Sequence, residues 1–590
     1  MPTLDFKGKQ FVYAHHLSVP FRELKVDAKK SLPAAGAKPD LDDNLIIHGD
    51  NLHALKALLP QYAGKIKCIY IDPPYNTGNE GWCYNDNVRG PLIQEWLKDS
   101  ANPVDKEDLE RHDKWLCVMW PRLQLLKELL AEDGAIFISI DENELHRLLG
   151  IMDEIFSDNH VATIPIVNNM KGRNDKSNIS LCHEYLVVYS KGKFVAKELP
   201  LTENQKKKFK NKDENGDLYE LRDLRKRGGA DTRDLRPKLY FPIYYNKDSK
   251  KLSLERTSKS DIEIFPIKSD GTDGCWRWGK KNVGSNLHIL EASYVSRNDK
   301  WNVSYRVYLN KDAAALNSDD EDDSFDDDYD EENEEYNERT SKPKSFWWGP
   351  ELSTDTAGKQ LKKILGKAGA DFDHPKSAYF LRRILYMATG ENDLILDSFA
   401  GSGTTAQAVL ALNKEDGGKR KFILVECEDY ADKITAERVR RVIKGVKEVS
   451  DQDIQAGLGG SFSYCTLGQE INIDSLLKGD DLPDYEALAR YVFYTATGKT
   501  LEKVSKPTAD WFIGETGMYN VHLIYKPDVE FLRGNDSALN ADLVTKIQER
   551  GKGKRSLVFA TAKFMGQKEL SAANIDFCQL PYAIHRILGE

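Results

Sequence analysis

In Asp393-Leu-Ile-Leu-Asp-Ser-Phe-Ala-Gly-Ser-Gly-Thr-Thr405 a short apolar strand runs straight into a glycine turn, and a helical pattern follows from Thr404 to Leu412. In open α/β sheets such a passage presents backbone N–H groups at a helix start, where they attract a carboxylate or phosphate. Gly401 and Gly403 let the backbone approach a ligand closely. The alternative is glycines kept only for close helix packing. The passage is set apart by Glu426, which closes the next apolar strand, Phe422 to Val425, where a carboxylate can bond ribose hydroxyls. Lys376 to Met387 reads as a helix before this strand, and Asp429 to Val446 as one after it.

The same alternation occupies the N-terminal third. Asn44 to Asp50 reads as a buried strand ending in a Gly-Asp turn, with a helix from Leu52 to Leu59 and a strand from Ile66 to Ile71. Helices follow at Trp115 to Leu130 and Glu142 to Phe156, and strands at Ala135 to Ile140 and Glu184 to Tyr189. Strands alternating with helices predict an α/β fold, with a mainly parallel sheet covered on both faces. From about Ala196 to Gly349 the alternation stops, and charges, scattered Tyr and Trp, and a turn at Arg227-Gly-Gly-Ala230 take over. The expected organisation is a core in two parts, 1–195 and 350–449, interrupted by an inserted module at 196–349. A mixed C-terminal domain at 450–590 has strands near Val521 to Tyr525 and Leu557 to Ala560.

Cys68-Ile-Tyr-Ile-Asp-Pro-Pro-Tyr-Asn-Thr-Gly78 delivers Asp72 to the end of an apolar strand, and Pro73 and Pro74 then hold a rigid extended turn that cannot relax into helix. Asp72, the Pro73 carbonyl and the Tyr75 ring together fit an exocyclic amine on a planar base, as two acceptors and a stacking face. The bland alternative is a strand ending in a proline turn.

The 590 residues exceed what one hydrophobic core serves, so several domains are expected. No apolar run approaches the roughly 18 residues of a membrane span, and Met1 to Gln10 lacks the apolar stretch of a signal peptide, which makes the cytoplasm the expected location. Eight cysteines with no Cys-x-x-Cys pair fit unpaired thiols and no metal site. The net charge of −10 hides an uneven distribution. Between Asp319 and Glu338 lie 14 acidic residues and no Lys or Arg, and outside that tract 84 basic residues face 80 acidic ones. From Asn204 to Arg256 there are 16 Lys and Arg against 9 Asp and Glu, an excess suited to nucleic acid. There Arg222, Arg225, Arg227, Arg233 and Arg236 are candidates for phosphates or guanine edges, against the alternative of a merely solvated face. Trp276, Trp278, Trp347 and Trp348 suit core or interface better than base wedges, and the acidic tract is expected to stay disordered and to discourage non-specific DNA contact.

Asp72-Pro-Pro-Tyr75 together with Phe399-Ala-Gly-Ser-Gly403 resembles the paired motifs of S-adenosylmethionine-dependent amino-methyltransferases that modify DNA bases. The catalytic motif precedes the cofactor motif by over 300 residues, an order that resembles the β group. The string Tyr70 to Gly78, with Arg225 to Arg233 and Trp276-Arg-Trp-Gly-Lys280, is similar to modification subunits of type III restriction systems. A weaker match, Leu557-Val-Phe-Ala to Gln579-Leu-Pro-Tyr582, lies in the tail. The resemblance implies a Rossmann-like methyltransferase sheet with an inserted target-recognition domain, S-adenosylmethionine as cofactor, and methylation of adenine N6 in duplex DNA. It implies catalytic roles for Asp72, Pro73, Pro74 and Tyr75. At the cofactor it implies Phe399 near the methionine moiety, Gly401 and Gly403 along its backbone, Glu426 at the ribose and Asp50 at the adenine, with Asp397 also among the binding residues. Asp50 also suits a plain helix N-cap. Lys376 corresponds to a lysine beside the methionine carboxylate, but Ser377 replaces the family's proline, which leaves that role open.

A target amine inside a duplex must be everted, and the amine attacks the methyl directly, so no cysteine, including nearby Cys83, is needed. The implied partners are double-stranded DNA, a second copy of the chain and a separate helicase-nuclease restriction subunit. Cytosine N4 methylation and a non-catalytic DNA-binding or assembly subunit are the alternatives; cytosine members of the family more often carry Ser at the position of Asp72. The tail has no catalytic signature and is left to dimerisation, partner contact or DNA gripping.

Overall fold

The computed structural model describes residues 3–77, 110–157, 159–169, 179–296, 299–310, 338–370, 372–470, 482–551 and 553–580. Cys83, the acidic tract up to residue 337 and the Pro581-Tyr582 end of the tail motif lie outside them. The chain divides into two compact units, residues 1–196 with 344–590, and residues 197–343.

Ten strands build the main sheet. In chain order they are β1 (Arg22–Leu32), β2 (Leu45–His48), β3 (Ile66–Ile71), β4 (Leu130–Ile140), β5 (His160–Val167), β6 (His183–Ser190), β7 (Trp347–Trp348), β8 (Leu394–Asp397), β9 (Lys421–Glu426) and β10 (Phe462–Glu470). Their spatial order is β1-β10-β2-β9-β8-β3-β4-β6-β5-β7. From β10 to β4 all neighbours run parallel. β6 turns antiparallel between β4 and β5. Leu45 to Ile47 and Phe422 to Val425 are buried throughout, as strands covered on both faces require.

Alternate side chains leave opposite faces of the sheet. Ile69 and Ile71 share a core with α1 (Asn51–Tyr62), α2 (Arg111–Leu129) and α3 (Leu145–Phe156). Further helices are α4 (Thr354–Leu365), α5 (Ala378–Ala388), α6 (Thr404–Asp416) and α7 (Glu437–Lys444). Tyr70 points away from Ile69 and meets Phe380 of α5 edge-on at 6.0 Å. α6 packs between α5 and α7, and α7 on α4.

Three sequence expectations are corrected. The inserted unit returns at 343 rather than 349, because Trp347 and Trp348 pair with Ile166 and Val167 in the main sheet. The core sheet extends past 450, because β10 pairs in parallel with β2 and antiparallel with β1. The first strand is β1, ahead of Asn44: it lies at the sheet edge, where Lys and Asp side chains blunt further pairing and erase the apolar signature.

Beyond the main sheet, β11 (Phe512–Glu515), β12 (Tyr519–Leu523), β13 (Arg555–Ala560) and β14 (Ile575–Gln579) form a second sheet in that order, with β12 to β14 parallel. Ile524, Val544, Ile547, Val558 and Leu570 make a core beside it. In the unit 197–343, strands 211–212, 218–223, 290–295 and 300–308 form an antiparallel sheet, and 243–246, 251–253 and 262–264 a smaller one. Phe241, Ile243, Trp276 and Val303 lie in its core. Among the described residues no helix is long and apolar enough to cross a membrane.

Candidate active site

β3 and β8 are hydrogen-bonded neighbours running the same way, with Ile69 opposite Leu396 and Tyr70 opposite Asp397. Chain separated by over 300 residues therefore leaves the sheet side by side at one C-terminal edge, the crevice in which open α/β sheets bind ligands.

The turn after β3 is held from several sides. Trp115 Nε1 of α2 donates to the Pro74 carbonyl at 2.7 Å. Asn76 is left-handed, with φ 59°, and its buried amide donates to the Arg111 carbonyl at 3.2 Å and to Glu144. Fully buried Glu144 also meets His112 Nδ1. Burial pushes the Glu144 carboxyl up to about 7. Burial, with Arg147 and Arg111 nearby, lowers the His112 imidazole to about 4.

Lys376 reaches the same turn. It precedes α5 instead of lying in it, since the helix begins after Ser377, and this extended lead-in carries its side chain to the end of β3. Lys376 Nζ donates to Asp72 Oδ1 at 2.8 Å and to the Tyr75 hydroxyl at 2.7 Å. Tyr75 in turn donates to Glu184 Oε2 at 3.1 Å, and Lys376 lies 3.4 Å from that oxygen. Burial pulls the ammonium pKa down, but Asp72 and Glu184 outweigh it and raise the pKa above the ordinary lysine value. Burial and the same two carboxylates hold the Tyr75 phenol far above its ordinary value.

At the neighbouring turn Gly401 and Gly403 are both left-handed, with φ 52° and 76°. Their reasons differ. A Cβ at Gly403 would stand 3.0 Å from the Thr435 carbonyl, so packing, not ligand approach, demands glycine there. A Cβ at Gly401 would meet the Phe372 ring at 3.5 Å and the Phe399 carbonyl at 4.0 Å, ordinary contact distances, so only the left-handed φ asks for glycine there. Glu426 accepts the Gly401 N–H at 2.7 Å on Oε2 and the Glu428 N–H at 3.0 Å on Oε1. Asp397 accepts the Phe399 N–H at 3.1 Å and the Thr405 hydroxyl, and burial pushes it up to about 7. Phe399 packs half-buried against the main core. Asp50 caps α1, accepting from His53 N at 3.1 Å. Burial would raise its pKa, but the His53 hydrogen bond and Arg122 hold it down to about 2.

A family model described as DNA methylase matches residues 66–437, more than half of the chain. The chain belongs to this DNA methylase family. It is 34% identical over 446 residues to the Mod subunit of the type III restriction-modification enzyme EcoPI from Escherichia phage P1, covering 70% of this chain and 64% of that protein's length. It is 30% identical over 405 residues to the type II methyltransferase M.KpnI from Klebsiella pneumoniae, covering 68% of this chain and 84% of that protein. Among solved structures, the cytosine-N4-specific PvuII DNA methyltransferase is 11% identical, with a TM-score of 0.30, over 70% of this chain and 90% of its own.

In the DNA methylase chain the five candidate arginines lie in the unit 197–343, and four meet carboxylates there. Arg222 pairs with Glu220 at 2.7 Å, Arg225 and Arg227 with Asp223 at 3.7 and 2.9 Å, and Arg233 with Asp273 at 2.9 Å. Arg236 opens the short turn 237–239. Trp276 is core, its indole N–H donating to the Phe241 carbonyl at 2.7 Å, and Trp278 packs on Tyr305. Trp347 is buried under the Arg383 guanidinium, whereas Trp348 is exposed.

Sequence reasoning missed Glu184, Glu144 and Arg438. Glu184 had a signal, a carboxylate heading an otherwise apolar strand. Arg438 is fully buried and donates to Ser402 Oγ at 2.8 Å, Thr404 Oγ1 at 2.6 Å and Gln407 Oε1 at 2.9 Å, bracing the glycine turn from beneath. Burial lowers its pKa to about 9.

Proposed function

We propose that the chain transfers a methyl group from S-adenosylmethionine to the N6 amino group of adenine at specific sites in duplex DNA, as the modification subunit of a type III restriction-modification system. The parallel pairing of β3 with β8, which puts the Asp72 turn beside the Gly401 turn, is the observation that carries the reading. The residues fit the cofactor. Ser398 Oγ is buried between Asp397 and Phe399 with no hydrogen-bond partner among the described residues. That unpartnered hydroxyl suits a polar ligand seated against the turn. Phe399, Gly401 and Glu426 would hold it, with Asp50 at its far end, while Asp397 and Gly403 keep the turn in shape. Lys376 is assigned to the catalytic turn and not to the cofactor.

When bound, the cofactor supplies an electrophilic sulfonium methyl. The chain's own residues do the rest. An adenine amine is a poor nucleophile because its lone pair is delocalised into the ring. Asp72 and the Pro73 carbonyl accept its two N–H bonds and turn the lone pair out of conjugation, each preorganised acceptor contributing about 3 kcal/mol. Tyr75 stacks on the everted base and offsets part of the few kcal/mol that eversion costs. The EcoPI Mod relative is a subunit of a type III restriction-modification enzyme, and by that likeness a separate restriction subunit is the assigned partner, while a second copy of this chain is assigned from the resemblance of the motifs alone. The unit 197–343, with its basic excess from 204 to 256, is assigned to target recognition.

Labelled methyl transfer to duplex DNA, followed by digestion to nucleosides, tests the reading. N6-methyladenine is the expected product; N4-methylcytosine, or no transfer, overturns it.

A further inference from the structure

Glu184 has no part in the chemistry above, yet it closes the polar ring on which that chemistry depends. β6 runs antiparallel to β4, with Tyr185 opposite Ile140, so Glu184 emerges at the same edge as Asp72. Its side chain is 6% exposed, too buried for a carboxylate kept for solubility. Its Oε2 accepts the Tyr75 hydroxyl and lies within ion-pair distance of Lys376, which also donates to Asp72 and to the Tyr75 oxygen. Two carboxylates thus share one ammonium and one phenol. The phenol oxygen already accepts from Lys376, so its proton must go to a carboxylate, and Asp72 and Glu184 are the two beside it. Were that carboxylate Asp72, the phenol and the ammonium would both draw on the oxygens that the target amine needs.

We propose that Glu184 is a positioning residue for methyl transfer: by holding the Tyr75 hydroxyl and a share of the Lys376 ammonium, it leaves Asp72 an oxygen for the incoming amino group. This rests on the assignment of the Asp72 turn as the transfer site. Glu184 touches neither base nor methyl donor. Its effect falls on the transfer step and leaves ligand capture alone, and misplacement of such a ring costs about 10- to 100-fold in rate.

The test is single-turnover methyl transfer by the full chain on duplex DNA, with S-adenosylmethionine and DNA varied in turn, for wild type, Glu184→Gln, Glu184→Ala, Tyr75→Phe, the Tyr75→Phe/Glu184→Ala double variant and Asp72→Ala. The expected result is a transfer rate about 10- to 100-fold lower in Glu184→Ala, with half-saturation by either substrate within about threefold. Glu184→Gln, whose amide oxygen still accepts from Tyr75, should recover part of the loss. In the Tyr75→Phe background Glu184→Ala should cost less than in wild type, because the two act through one hydrogen bond. A Glu184→Ala rate near wild type, a loss confined to half-saturation, or full additivity with Tyr75→Phe overturns the proposal. If the alanine variant fails to fold, the isosteric Glu184→Gln decides alone: an unchanged transfer rate overturns the proposal. Asp72→Ala separates the two levels, since near-normal transfer by that variant sinks the site assignment itself, whereas loss there beside an unaffected Glu184→Ala sinks only the role of Glu184.

Discussion

Glu144→Gln should stabilise the protein strongly at alkaline pH and only slightly at mildly acid pH. Glu144 is fully buried, accepts from the Asn76 amide and meets His112. In the unfolded chain its carboxyl titrates near its ordinary 4.5, and in the fold near 7. A carboxyl raised by folding binds its proton more tightly in the native state, so its favourable contribution is complete below about 4.5 and is lost as pH climbs through about 7. The interval corresponds to about 3 kcal/mol, at 1.36 kcal/mol for each pH decade. Glutamine keeps a neutral acceptor: its oxygen, at the Oε1 position that both neighbours meet, accepts from Asn76 and from the Nδ1–H of His112, which stays neutral above about 4. Thermal unfolding of wild type and variant at pH 5.5 and pH 8.5, in the same buffer and salt, reads the difference. At pH 5.5, one decade above 4.5, about 1.4 kcal/mol of the contribution is already gone and the variant should melt slightly higher, whereas at pH 8.5, where all of it is gone, it should melt several degrees higher. An equal offset at both values would refute the argument, because it would show that Glu144 does not change protonation between them. A lower Tm for the variant at pH 8.5 would show an ionised Glu144 stabilised by its neighbours beyond the cost of burial.

Gly403→Ala should cost about 2 kcal/mol, from a left-handed backbone and a Cβ 3.0 Å from the Thr435 carbonyl. Gly401→Ala should cost about half of that, because only its φ resists; chemical denaturation of the two variants side by side checks the order. Arg233→Ala should leave Tm nearly unchanged, since its pair with Asp273 is over half exposed on the arginine side. If Arg233 contacts phosphate, the slope of log affinity against log salt for DNA falls by about 1; an unchanged slope removes it from the interface. Trp276→Ala, which empties a buried site and strands the Phe241 carbonyl, should cost about 3–5 kcal/mol and open the unit 197–343 to proteolysis. A cleavage pattern matching wild type would contradict its place in the core.

Both site turns were legible because their signals are local. An apolar strand ending in Asp72-Pro73-Pro74, and another ending at Asp397 before Gly401, each declare strand, turn and exposed edge within about ten residues. What escaped depends on contacts across the sheet. Lys376 meets Asp72 across 304 positions, and only the fold reveals that the segment before α5 reaches the end of β3. The acid at Glu426 was found, but not that both its oxygens already accept backbone N–H groups from the loops around it. Gly403 was noticed for ligand approach, whereas the widened helical turn at 431–436, which brings Thr435 against it, leaves no mark in a pattern that reads as regular helix. β1 failed for a simpler reason: an edge strand with one neighbour has no need of alternating apolar residues.

The topology also explains how one reaction centre tolerates so long an interruption in the chain. Neighbours in a parallel sheet are set by strand order, not by sequence order, and β3 and β8 are adjacent whatever lies between them in the chain. The second unit leaves after β6 and returns before β7, and neither of those strands pairs with β3 or β8, although Glu184 of β6 reaches the Tyr75 hydroxyl. On the assignment proposed above, a recognition module inserted there can change its target while the strand pairing that joins the Asp72 and Gly401 turns is kept. Exchanging the unit for that of a relative should alter the methylated sequence and preserve the modified atom; a change in the modified atom would mean that the seam between β3 and β8 alone does not define the chemistry.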